Sequence, residues 1–260
     1  MRSFGSQKAV MSRKLVSHIR QVVRAFVGRD DLTEPLEVER SEWRFYLDYL
    51  RPGMVVFDVG AYAGELTLLF SRFVVEAGRV YAFEASSAGF KQLKTACELS
   101  GRSNIVLSNV ALADREGVVK LHVYDRDHLS WSSLAERPLH RYGLPVQSVG
   151  TEEVLATTVD AFCEKNAISR IDLLKIDVEG AEYQVLLGAR CMLQEKRVHC
   201  CVFEFGATTF DMGNDPDAIE DYLTGLGYRL RNIVSRDPVF PGRTGAEAAR
   251  FSMHVATPEP

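Results

Sequence analysis

The chain lacks the makings of a disulfide framework. Its five cysteines, Cys97, Cys163, Cys191, Cys200 and Cys201, contain no C-x-x-C pair, and an odd number closes no complete set of bridges. Most sit among apolar neighbours, as small core hydrophobes do, and this usage points to a reducing, cytoplasmic setting. No run is long and apolar enough to span a bilayer, and Arg13, Lys14, Arg20 and Arg24 interrupt every candidate secretory signal. A surplus of positive charge is also missing. The 31 basic residues stand against 35 acidic ones, so charge argues against nucleic acid as a partner of the whole molecule. Internal repeats and low-complexity tracts are absent. What remains is ordinary globular sequence, 46% hydrophobic and 25% charged, and its 260 residues suit one large domain.

Residues 1–29 stand apart. They hold seven Lys or Arg and no Asp or Glu, while Leu15, Ile19, Val22, Val23 and Phe26 recur at three- and four-residue steps. That spacing predicts a basic amphipathic helix. Such a helix docks on its own domain or lies as a peripheral contact on the inner membrane surface, and an organellar transit peptide has a similar composition. A second helix is expected over 37–50, with Trp43, Tyr46, Leu47 and Leu50 on one side. Residues 1–50 therefore read as an N-terminal helical extension and 51–260 as the main domain.

In that domain strands alternate with helices. Strands are expected over 54–59, 79–84, 104–111, 171–178 and 198–205, with an extra one over 118–124. Helices fall over 64–75, 86–99, 158–165, 181–193 and 217–226, and two last strands over 228–234 and 251–256 form a long hairpin. The pattern predicts an α/β fold: a doubly wound, Rossmann-like, seven-stranded, mostly parallel sheet whose last strand is antiparallel. Periodicity fails over 124–154, where His128, Trp131, Ser132 and His140 occur. An irregular, aromatic-bearing stretch of this length in a compact domain is expected to bind something.

The first strand runs into Asp58-Val59-Gly60-Ala61-Tyr62-Ala63-Gly64 and then a helix. Gly60 permits a tight turn and close backbone approach to a ligand, and the helix start offers free N–H groups. A dinucleotide fingerprint begins with glycine where this chain has Asp58. An acid there repels pyrophosphate and suits the ammonium group of S-adenosylmethionine. Glu84 closes the second strand 26 residues later, where an acid holds ribose hydroxyls in doubly wound nucleotide sites. The densest cluster is Leu173-Leu174-Lys175-Ile176-Asp177-Val178-Glu179-Gly180-Ala181-Glu182. Strand alternation sets Lys175, Asp177 and Glu179 on one side, and Glu204 ends the next strand facing the same crevice.

These pieces together resemble the FkbM family of S-adenosylmethionine-dependent methyltransferases. The resemblance rests on VFDVGAYAGELT, GRVYAFEAS, the segment 109–114, TTVDAF, LLKIDVEGAEYQVLLGA, the Glu204 strand and LGYRL. It implies methyl transfer to a hydroxyl, often of a sugar or polyketide. It also implies cofactor contacts at Asp58, Gly60, Ala61, Gly64, Glu84 and Asp177, with Asn109 or Ala111 lining the adenine. Two positions depart from the family: Tyr62 replaces its usual Asn and Ala85 its usual Pro, both beside the cofactor.

An alcohol nucleophile gains from losing its proton during attack, so Asp177 or Glu204 is expected to accept it, with Lys175 or Glu179 in support. His128 and His140 are rivals for that role. The acidic pair Asp177 and Glu204 would alternatively hold a divalent cation. Residues 124–150 are expected to form the lid over a small-molecule or glycan acceptor, with Trp131 stacking on a sugar face and Ser132 and His128 beside it. A nicotinamide dehydrogenase on a similar sheet, or a non-catalytic module binding S-adenosylmethionine, are the competing functions.

Overall fold

The computed structural model describes residues 33–259. The basic helix expected over 1–29 lies outside the described residues. The chain runs α1 (Thr33–Tyr49), β1 (Val55–Val59), α2 (Glu65–Val74), β2 (Arg79–Phe83), α3 (Ser87–Ser100), β3 (Ile105–Ser108), β4 (Ala111–Leu112) and β5 (Gly117–Val123). It continues through β6 (Gly150–Thr157), α4 (Val159–Lys165), β7 (Leu173–Ile176), α5 (Glu182–Leu187), α6 (Arg190–Gln194) and β8 (Cys201–Phe205). The last elements are α7 (Ala207–Asp211), α8 (Pro216–Gly225), β9 (Tyr228–Asn232) and β10 (Ser252–Pro258). Side-chain caps set several helix starts. Ser86 accepts from the Gly89 N–H, Thr158 from Ala161, and Asp215 from Asp217 just before Pro216.

Seven strands form one sheet in the order β3-β2-β1-β7-β8-β10-β9. All pairings are parallel except those of β10, which slots antiparallel between β8 and β9. Both faces are covered, so the central strands are apolar except for Asp58, Lys175 and Glu204 near their carboxyl ends. Phe57, Val59, Leu174, Ile176, Cys201 and Phe203 meet α4, α5, α6 and α8 on one side. Val56, Leu173, Cys200 and Val202 meet Val38 and Tyr46 of α1 and Phe70 and Val74 of α2 on the other. Helix α1 is therefore part of the core, with Tyr46 fully buried.

Three local expectations change. The strand expected over 104–111 is cut in two. β3 ends at Ser108, Asn109 ties its side-chain amide to the carbonyls of Glu84 and Ala85, and β4 joins a second sheet ordered β4-β6-β5. The helix expected over 181–193 breaks at Gly188, whose carbonyl accepts the Asp160 N–H and where a Cβ would stand 2.0 Å from the Ala113 carbonyl oxygen. The irregular segment ends earlier than expected, because β6 begins at Gly150. Its alternating Val154 and Ala156 face inward while Glu153 and Leu155 face water, as in a sheet covered on one side.

Candidate functional site

The site gathers at the carboxyl ends of β1, β2 and β7. Register brings Asp58 of β1 beside Lys175 of β7. In parallel neighbours such partners share a face, and two residues along β7 the chain puts Asp177 on that face as well. Lys175 Nζ lies 3.3 Å from Asp58 Oδ1 and 3.5 Å from Asp177 Oδ2. It also donates to the carbonyls of Val59 and Gly60, at 3.4 and 3.2 Å. Burial by itself would depress this ammonium. The charges of Asp177 and Asp58 outweigh it and leave the pKa above the ordinary lysine value. The buried lysine thus ties the first loop to the end of β7.

The first loop is shaped by contact with that same strand end. Gly60 has φ +76°, and a Cβ on it would stand 1.8 Å from the Asp177 carbonyl oxygen. Its N–H and that of Ala61 donate to the Phe83 carbonyl. Tyr62 also adopts a left-handed φ of +43°. Asn, the residue usual here in the family that the sequence resembles, takes that conformation at lower cost. The Tyr62 N–H donates to Glu84 Oε2 at 2.8 Å, and the Ser86 N–H to Glu84 Oε1 at 2.9 Å. Burial pushes the Glu84 carboxyl above the usual carboxylate range. Its two oxygens are fixed at the rim by main-chain donors and keep lone pairs for a ligand.

Beyond β7 the chain turns through Glu179 and Gly180, with φ of +55° and +105°. A Cβ on Gly180 would stand 2.3 Å from the Thr208 carbonyl oxygen, so this turn lies tightly against α7. Glu182 folds back to accept the N–H groups of Val178 and Gly180. Burial raises both Glu179 and Glu182 to about 7. Glu204 is raised further, first by burial and then by the charges of Asp177, Glu179 and Glu182. Its Oε1 accepts from Thr208 Oγ1. Glu42 of α1, which accepts from the Tyr46 hydroxyl, is raised to about 7 by burial and by Asp177.

A cleft enclosing about 610 Å³ of space continuous with solvent opens between these strand ends and the segment after β5. Of the residues the sequence singled out, Gly60, Tyr62, Glu84, Ala85, Ala111, Asp177, Glu179 and Ser132 line it. Phe83, Val110, Leu112, Leu121, Leu129, Ser130 and Leu134 line it too, and no local sequence signal marks them. The lining holds three carboxylates and no basic side chain.

Several expected contacts are placed differently. Asp58 is fully buried below the cleft, its carboxylate taken by Thr67 and Lys175, because register pairs it with a buried cation. Gly64 is the left-handed cap of α2, and Ala61 is buried against Leu93 and Cys97. Asn109 holds the Glu84–Ala85 main chain. Lys175 and Glu204 are buried and do not line the cleft. Trp131 does not present a stacking face there: it is 3% exposed and packs with Tyr124 and Leu139 as the small core of its own segment. The His128 ring lies 4.5 Å from it and bonds Asp125, and His140 is exposed. No group of three or more His, Cys, Asp or Glu gathers as metal ligands among the described residues. Nor is any helix among them long and apolar enough to cross a membrane.

A family model for the FkbM methyltransferase domain matches residues 58–230. The 31-O-demethyl-FK506 methyltransferase FkbM of Streptomyces tacrolimicus is 28% identical over 254 residues, covering 87% of this chain and 89% of that protein. Among solved structures, the methyltransferase FkbM of Methylobacillus flagellatus aligns with 93% of this chain at 12% identity and a TM-score of 0.49. This chain spans 59% of the length of that one. A SAM-dependent methyltransferase from Aquifex aeolicus aligns with 93% of this chain and 96% of its own, at 15% identity and a TM-score of 0.47.

Proposed function

The chain belongs to the FkbM methyltransferase family, and from that premise we propose that it transfers a methyl group from S-adenosylmethionine to a hydroxyl of a sugar or other small natural product. One observation carries the cofactor assignment: three carboxylates and no basic side chain line the cleft. A lining that presents carboxylates and no cation of its own offers a phosphorylated ligand nothing to pair with. The residues fit S-adenosylmethionine. Glu84 would hold the ribose hydroxyls, the Gly60–Tyr62 loop would face the amino-acid tail, and Phe83, Val110, Ala111 and Leu112 would enclose the base. When bound, that compound supplies a methyl group on a cationic sulfur, ready for in-line displacement.

The protein's own part is alignment and proton transfer. Alignment of two bound reactants is worth about 7–11 kcal/mol in favourable cases. The β7–β8 register ends with Ile176 beside Phe203, so Asp177 and Glu204, one residue further along each chain, come next to each other. Burial and the neighbouring carboxylates push the Glu204 carboxyl well above its ordinary value. Asp177, with its side chain 37% exposed toward the cleft, accepts the proton of the acceptor hydroxyl. Lys175 fixes Asp177 in place. His128, bonded to Asp125 and set against Trp131, is not among the residues lining the cleft.

Titration calorimetry tests the reading. S-adenosylmethionine and its demethylated product should each give saturable heat, and NAD none. Heat from NAD alone would favour a dehydrogenase. Binding without turnover on any hydroxylated acceptor would favour a non-catalytic module.

A further inference from the structure

We propose that Arg137 is a positioning residue, a latch that docks the 124–149 segment across the cleft and fixes the turn after β7 in the same event. The latch rests on the methyl-transfer reading only for the identity of what fills the cleft.

The Arg137 side chain is fully shielded from water. Nη1 donates to Glu179 Oε2 at 2.7 Å, and Nε stands 3.5 Å from Asp211 Oδ2. Both carboxylates belong to elements outside the segment: Glu179 to the turn after β7, Asp211 to the end of α7. Two further bonds run the same way. Ser133 Oγ donates to the Glu179 carbonyl, and the Tyr142 hydroxyl donates to Asp211. Four contacts thus join one segment to the turn after β7 and to the end of α7, three of them to carboxylates.

The segment is built to move as a unit. Tyr124, Trp131 and Leu139 form a core separate from the main sheet, with Tyr142, Leu144 and Val146 packed on it. Its hydrogen bonds to β5 are the two-bond bridge between His122 and Ser133 and, at the far end of the segment, two bonds to the Val123 carbonyl from the Val149 N–H and Ser148 Oγ. From this unit Leu129, Ser130, Ser132 and Leu134 form the cleft wall facing Asp177 and Glu179. A guanidinium out of water is tolerated only when paired. Undocking would return Arg137, Glu179 and Asp211 to water together, so the docked state is defined by this cluster and is not one of a continuum. Because Glu179 lies two residues from Asp177, docking also sets the strand end that faces the acceptor.

Two measurements on the full chain test the latch. In ligand-free protein, hydrogen exchange at the amides of residues 129–134 should speed up at least tenfold in Arg137→Met, with β1 and β7 unchanged. Equal exchange in that segment overturns the proposal, as does uniform acceleration across the sheet. In calorimetry with S-adenosylhomocysteine, Arg137→Met and Glu179→Gln should each weaken binding at least tenfold. The double variant should lose no more than the worse single one, since both act on one latch. Arg137→Lys, which keeps a charged donor, should recover part of the affinity, and it is read in both assays should Arg137→Met fail to fold. Unchanged affinity in the folded variants, or losses that multiply in the double, overturns the proposal. A wild-type chain that gives no heat strikes the methyltransferase reading instead, and the exchange measurement still decides the latch.

Discussion

Glu84 and Gly60 show how single residues set this site. Each Glu84 oxygen already accepts one main-chain N–H. Gln in its place keeps the shape, loses the charge and turns one acceptor into a donor facing the Ser86 or Tyr62 N–H. A hydrogen bond to a charged group is worth about 1.5–3 kcal/mol, so Glu84→Gln should weaken S-adenosylhomocysteine by at least about tenfold. Calorimetry reads this directly, and an unaltered affinity would remove Glu84 from the ribose. Gly60 is constrained twice, by its left-handed φ and by the Asp177 carbonyl 1.8 Å from where a Cβ would lie. Gly60→Ala should destabilise the chain by more than about 2 kcal/mol in denaturant unfolding, because backbone must shift to relieve the contact. A loss of a few tenths would mean that the loop relaxes freely.

At the scale of elements, β1 and β7 are joined by more than their ladder. Lys175 of β7 holds Asp58 of β1, Asp177 and two carbonyls of the first loop. Removing one partner from a buried ion pair costs about 3–5 kcal/mol, mainly through the charge left behind. Lys175→Met should therefore be severely destabilising. Asp58→Asn introduced into that variant should restore part of the loss, although it adds a second change. Thermal melts of the single and double variants check this. A double variant less stable than Lys175→Met would show that the two charges do not act as a pair. Position along the strands was legible from the motif, since Lys175 and Asp177 alternate onto one face. Which carboxylate would be consumed by the lysine was not legible, because cross-strand register is absent from a local pattern. That is why Asp58 reads in the sequence as a cofactor contact and lies in the structure beneath one.

Across the whole molecule the site stores acidic strain. Glu179 and Glu182 titrate at about 7 in the folded chain, against 4.5 for the free side chain, chiefly because they are buried. Between those values the folded state binds more protons than the unfolded one. Their contribution to stability is fully present below about 4.5 and is lost as pH rises through about 7. The Tm of ligand-free protein should thus fall between pH 5.5 and 8 more steeply in wild type than in Glu182→Gln, which keeps the acceptor for Val178 and Gly180 without the charge. Parallel curves for the two proteins would sink the argument. Saturating S-adenosylhomocysteine should raise Tm at every pH, by mass action on the folded state.

The doubly wound sheet, the antiparallel last strand and the acid-bearing strand ends were all legible in the order of residues. Those features follow from short-range periodicity, from glycine at forced turns and from acids at strand termini. Tertiary structure alone decided that Gly150 starts a strand of a second sheet, that Trp131 is core to its segment, and that α1 brings Glu42 and Tyr46 over the acidic face. It also decided that Arg137 reaches both Glu179 and Asp211, residues 42 and 74 positions away along the chain. The reason is physical: a local pattern reports which face of an element is buried, whereas the partner that buries it is chosen by packing between distant parts of the chain.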